Sequence, residues 1–237
     1  MILFALCAAI LLCGASLFTY FKSREERSYQ RTVCIYALIT ILAAAAVRYL
    51  QSKAADALLL GALLKFSASL PGVLFALRGY LRKRNSFSFF IFAAILIGMI
   101  ADVSININVL IGGCFFLIGH LLYDVAFLKK GKPSKRQLVL WLIISILMIL
   151  PLYLLRKTIG SLFITIGVLI YISILFSTVI FSWSLNRLIF MAAAVFALSD
   201  CFMVLNNVMN AGMFLKILAL LVYYGSLLLY GIVIWKE

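Results

Sequence analysis

The sequence predicts an all-α fold, a polytopic bundle of eight or nine transmembrane helices forming one transmembrane domain over 1–237. Three observations predict it. Hydrophobic residues make up 66% of the 237-residue chain, and the mean hydropathy is +1.19. A soluble domain of this size could not bury so much apolar surface. Apolar runs of roughly 20 residues, the length that crosses a bilayer, recur along the chain. Lys and Arg gather in the short segments between those runs, as they do on the inner face of a membrane. The runs are continuous and do not alternate, which excludes a β-barrel.

Nine candidate spans follow in order: 2–21, 32–50, 56–77, 87–106, 109–128, 137–155, 159–181, 187–206 and 213–235. The first is followed by the charged stretch from Phe21 to Arg27 and not by a small-residue cleavage site, which argues against a removed signal peptide. The second ends in Arg48 and also reads as an interfacial helix. With the N-terminus outside, the inner connections carry fifteen Lys and Arg residues and the outer ones five. This bias predicts a multi-pass protein of the cell membrane with a cytoplasmic C-terminus. Connections are short, so successive helices are expected to pack as antiparallel neighbours.

The net charge of +14 is thereby explained by topology, and no nucleic-acid partner is expected. The five cysteines lie in apolar segments without a Cys-x-x-Cys pair and read as small buried hydrophobes. No Gly-x-Ser-x-Gly elbow, phosphate loop, His-Glu-x-x-His or Cys/His cluster is present. Serine hydrolases, NTPases and zinc proteases are therefore poor candidates, and neither a metal nor a cofactor is expected.

Ionisable groups inside the spans are Lys65, Asp102, His120, Asp124 and Asp200. Such groups are costly in hydrocarbon, so each is a functional hypothesis. Asp102 and Asp200 read either as hydrogen-bonded groups between helices or as chemistry. Each precedes an asparagine by six positions, Asn108 and Asn206, a faint internal echo. His120, the only histidine, shares a helical face with Tyr123 and Asp124. Asp124 lies close to Lys129 and reads as half of a boundary ion pair. Lys65 either snorkels or meets a buried partner or a ligand anion. Two acids in one apolar cavity suggest a split pair, one protonated and one ionised, of the kind that cleaves glycosides.

At this point three stretches resemble the YhhN-like integral membrane proteins, which include the lysoplasmalogenases. They are the apolar helix around Asp102, the run from His120 through Tyr123 to Ala126 and Phe127, and Ser199-Asp200 with Leu205-Asn206. Lys65 falls where the family has a Lys-Pro pair, and Tyr223-Tyr224 where it has paired aromatics. This chain departs from the family at Ala101, where a glycine is usual, at Phe66, where a proline is usual, and at Leu227, near the place of a glutamine. The resemblance implies hydrolysis of the vinyl ether bond of lysoplasmalogens, giving a fatty aldehyde and a glycerophospho-alcohol. An acid protonates the enol-ether carbon, an anion stabilises the oxocarbenium ion, and water attacks.

The expected catalytic pair is Asp102 and Asp200, facing one another at similar depth, roughly 8 Å below the outer boundary. Asp200 is expected to hold the proton, because Phe196, Leu198 and Phe202 surround it in sequence, while Ser104 and Asn106 keep Asp102 charged. Lys65 and His120 are expected to bind the polar end of a lysophospholipid substrate, with Tyr123, Ser199, Asn206 and Tyr224 completing the site among membrane lipid. The competing readings are a transporter or channel with a proton relay, and a lipid-binding protein without catalysis.

Overall fold

The computed structural model describes residues 2–22, 29–53, 58–150, 153, 162–209 and 212–236, and the statements below refer to them. Their elements are helices: α1 (Ile2–Lys22), α2 (Tyr29–Lys53), α3 (Leu58–Lys83), α4 (Ser86–Ile107), α5 (Val109–Lys130), α6 (Lys135–Leu147), α7 (Leu162–Ser182), α8 (Arg187–Met209) and α9 (Gly212–Lys236). Six of them, α3, α4, α5, α7, α8 and α9, contain segments long and apolar enough to cross a membrane. Against the expected eight or nine, six such helices stand among the described residues. The apolar described parts of α1 and α2 are shorter, Ala9–Phe18 and Arg31–Ala43. The expected span 137–155 lies partly outside the described residues, and α6 itself has 13 residues. It stops at Leu147, and the Met148 amide closes its last turn on the Ile144 carbonyl.

Helix ends are set by local chemistry. Asn85 caps α4 by accepting from the Ser88 amide. Asn108 ends α4 in an extended conformation, and its side chain accepts from the Leu110 and Ile111 amides at the start of α5. One uncharged residue therefore turns the chain between two helices. Asn206, its counterpart in the sequence echo, lies within α8, so the two positions are not equivalent. Ser134 and Gln137 form a reciprocal capping box at the start of α6.

Helices α3 and α9 form the centre. α3 packs against α1, α2, α4 and α9, while α9 packs against α2, α3, α4 and α8. The α3–α9 contact is close because Gly231 faces Phe75: a Cβ at 231 would lie 2.5 Å from that ring. The α4–α5 contact is similarly close and involves backbone, since a Cβ at Gly112 would lie 2.6 Å from the Ile105 backbone. Successive helices do pack together, with one exception. α6 packs on α7 and not on α5.

The cysteines differ from expectation. Cys7, Cys34, Cys114 and Cys201 are exposed on the bundle, and Cys13 is half-buried. A small apolar side chain has nothing to gain from burial where the surroundings are hydrocarbon.

Candidate active site

A cavity of about 460 Å³ opens between the six membrane-length helices. Its polar groups come from five helices. Lys65 of α3, Asp102 of α4, Tyr171 of α7, Ser199 and Asp200 of α8 and Tyr223 of α9 all line it. The rest of the wall is apolar, contributed chiefly by the N-terminal halves of α5 and α7. Val109, Leu110, Phe163, Met203 and Val204 belong to this wall and are also exposed on the outside of the bundle.

Asp102 is 5% exposed. Its Oδ2 accepts from the Ser69 hydroxyl and, at 3.0 Å, from the Tyr223 hydroxyl. The close α3–α9 packing brings these two donors to one oxygen. Lys65, one helical turn before Ser69, lies within electrostatic range of Asp102. The neighbours expected from sequence do other work: the Asn106 amide donates to the backbone carbonyl of Asp102, not to its carboxyl. Asp200 is half-buried, and its Oδ2 accepts from the Tyr171 hydroxyl at 2.5 Å. Ser199 donates to the Phe196 carbonyl at 2.7 Å and reaches Asp200 Oδ1 only at 3.5 Å. Asp102 and Asp200 lie within electrostatic range of each other across the cavity. Asp102 is five residues from the end of α4, whereas Asp200 is nine from the end of α8, which runs past the expected 206.

The remaining expected residues sit elsewhere. His120 is buried and does not line the cavity; Tyr171 does, and its hydroxyl lies 3.5 Å from His120 Nε2. The other ring nitrogen, Nδ1, lies 3.4 Å from the Thr178 hydroxyl. Tyr123 also stands behind the wall, stacked on Tyr230 with ring centroids 4.1 Å apart. Tyr224 is buried away from the cavity; of the aromatic pair, Tyr223 takes the cavity position. Asp124 is not a boundary ion pair. It is 8% exposed and accepts from Ser177, because α7 packs on α5 there and presents hydroxyls in place of water. The side chain of Asn206 lies outside the described residues.

Ser69 and Tyr171 were not singled out by the sequence. A signal exists for each. Lys65 and Ser69 are one turn apart on α3, and Tyr171 and Thr178 share a face of α7 two turns apart. Among the described residues, no group of three His, Cys, Asp or Glu side chains could hold a metal ion.

A model of the YhhN family matches residues 64–231, well over half of the chain. The chain belongs to the YhhN family. No curated protein and no solved structure matches it. The YhhN match takes in all of the polar cavity residues and the greater part of the six membrane-length helices, and it leaves out α1 and α2.

Proposed function

We propose that this YhhN protein is a membrane-embedded hydrolase that cleaves the vinyl ether bond of lysoplasmalogens, releasing a fatty aldehyde and a glycerophospho-alcohol. The observation that carries this reading is the placement of two carboxyl groups, Asp102 and Asp200, on one largely apolar cavity. A single alkenyl chain fits the apolar wall, and the glycerophospho end meets Lys65 and Ser199.

Asp200 is the acid. It gives its proton to the outer carbon of the vinyl ether; the π pair forms the new C–H bond, and an oxocarbenium ion results. Asp102 is the anion. Ser69, Tyr223 and Lys65 stabilise its charge, and it faces the developing cation. Water attacks the cation and passes a proton to Asp102. The hemiacetal then collapses to aldehyde and alcohol. The separation of roles follows the pattern of paired carboxylates in glycoside hydrolysis.

The test is aldehyde release by the purified protein from a lysoplasmalogen, compared with Asp102→Asn and Asp200→Asn. Each variant is expected to lose about 10²–10⁴-fold in kcat, the contribution of a positioned acid or base. A folded variant that stays within about tenfold of wild type overturns the paired-carboxylate mechanism.

A further inference from the structure

The proposed reaction leaves the two acids in the wrong states for the next turnover. Asp102 has gained a proton and Asp200 has lost one. Both line the cavity and can exchange protons with water admitted to it, but a route from behind the wall would recharge Asp200 while product still occupies the cavity. Behind the cavity wall runs a set of buried polar groups that the cleavage step does not use. Asp124, His120, Ser177 and Thr178 are each 8% exposed or less. They come from α5 and α7, which pack together.

These groups form a chain that ends on Asp200. The Tyr171 hydroxyl donates to Asp200 Oδ2 at 2.5 Å and lies 3.5 Å from His120 Nε2. His120 Nδ1 lies 3.4 Å from Thr178 Oγ1. Thr178 follows Ser177 on α7 and lies within electrostatic range of the Asp124 carboxyl. Ser177 holds Asp124 Oδ2, while Oδ1 is buried with no hydrogen-bond partner among the described residues. Both nitrogens of the one histidine thus face hydroxyls that lead in opposite directions.

We propose that Asp124, Thr178, His120 and Tyr171 form a relay that returns a proton to Asp200 after each cleavage, an inference that rests on the hydrolase reading above. Asp124 gives its proton to the Thr178 oxygen, and Thr178 gives its own to His120 Nδ1. The proton on His120 Nε2 passes to the Tyr171 oxygen, and the Tyr171 proton passes to Asp200. One proton leaves Asp124 and one arrives at Asp200; the imidazole stays neutral but ends in the opposite tautomer, and a ring flip with rotation of the two hydroxyls restores the starting arrangement before the next turnover. The Thr178 hydroxyl, which rests on the Ile174 carbonyl at 3.0 Å, rotates to take part. Asp124 regains its proton from water at the end of α5 that carries Lys129 and Lys130.

The experiment compares one turnover with many. Enzyme in excess of a lysoplasmalogen reports cleavage by Asp200 as already charged; substrate in excess reports its recharging. In His120→Ala the steady-state rate is expected to fall about tenfold or more while the single-turnover rate stays within about twofold of wild type. Added imidazole, filling the space left by the ring, is expected to restore much of the steady-state rate. Thr178→Val, which keeps the side-chain shape, carries the same expectation without imidazole rescue and serves if His120→Ala does not fold. Equal losses in both regimes, or no loss in either, overturn the relay while leaving wild-type aldehyde release, and so the hydrolase reading, intact. A wild type that releases no aldehyde overturns the reading and the relay with it.

Discussion

Tyr223 donates its hydroxyl to Oδ2 of Asp102 at 3.0 Å, across 121 residues of sequence. Its neighbour Tyr224 is also buried but does not line the cavity, although it lies within electrostatic range of Asp102. The two tyrosines are therefore separable by experiment. Tyr223→Phe removes a donor from the anion that faces the reacting carbon and is expected to lower kcat by about 10–10³-fold with little change in KM. Tyr224→Phe is expected to leave both constants within about threefold of wild type, because it touches neither carboxyl. Kinetics of aldehyde release on the two variants decide it.

Lys65 lines the same cavity and lies within electrostatic range of Asp102. Lys65→Met is expected to raise KM for a phosphate-bearing substrate by about tenfold or more, a charge-assisted contact being worth about 1.5–3 kcal/mol. The same variant is expected to change KM far less for an alkenyl glycerol without phosphate. An equal effect on both substrates places Lys65 with Asp102 alone and removes it from headgroup binding.

Gly112 and Gly113 are adjacent but face different surroundings. A Cβ at 112 would strike the Ile105 backbone, whereas nothing lies within 4 Å of one at 113. Gly112→Ala is expected to push α5 from α4 and destabilise the bundle by about 1–3 kcal/mol, as overpacking does. Gly113→Ala is expected to be neutral or slightly stabilising. Thermal unfolding of the detergent-solubilised protein measures both.

Gln137 ties α6 to α7. Its side-chain amide donates to the Ile180 carbonyl at 2.8 Å and to Ser184 at 3.2 Å, and its Oε1 accepts from the Ser134 amide. Since α6 has no packing partner other than α7 among the described helices, Gln137→Ala is expected to loosen it. A cost of about 1 kcal/mol is expected for the lost hydrogen bonds, the Ile180 carbonyl keeping the Trp183 amide, and is seen as faster proteolysis near Lys135 and Arg136.

The parts of the site legible in the sequence were those that stand out against hydrocarbon. Asp102, Asp200 and Lys65 are charged residue types in apolar helices, and cost alone marks them. Their partners were not legible for the opposite reason. Ser69, Tyr171 and Tyr223 are ordinary residues in a membrane helix, and they reach their acids across 33, 29 and 121 positions. Which of two adjacent tyrosines faces an acid depends on the rotation of α9, set by the close contact at Gly231. Asp124 misled because proximity to Lys129 in sequence says nothing of α7, which covers it. The helices themselves were legible from apolar length, while the end of α6 at Leu147 falls inside a run that stays apolar and gives no such signal.

The wall of the cavity reaches the outer surface through Val109, Leu110, Phe163, Met203 and Val204, which are apolar and exposed. A ligand coming from the acyl chains meets no water on that route. Its supply is then counted in molecules per area of bilayer and not per volume of buffer. Turnover should fall when the substrate is thinned with inert lipid at constant total amount, and hold steady when the vesicles are merely diluted. The measured constant for such a protein carries units of mole fraction.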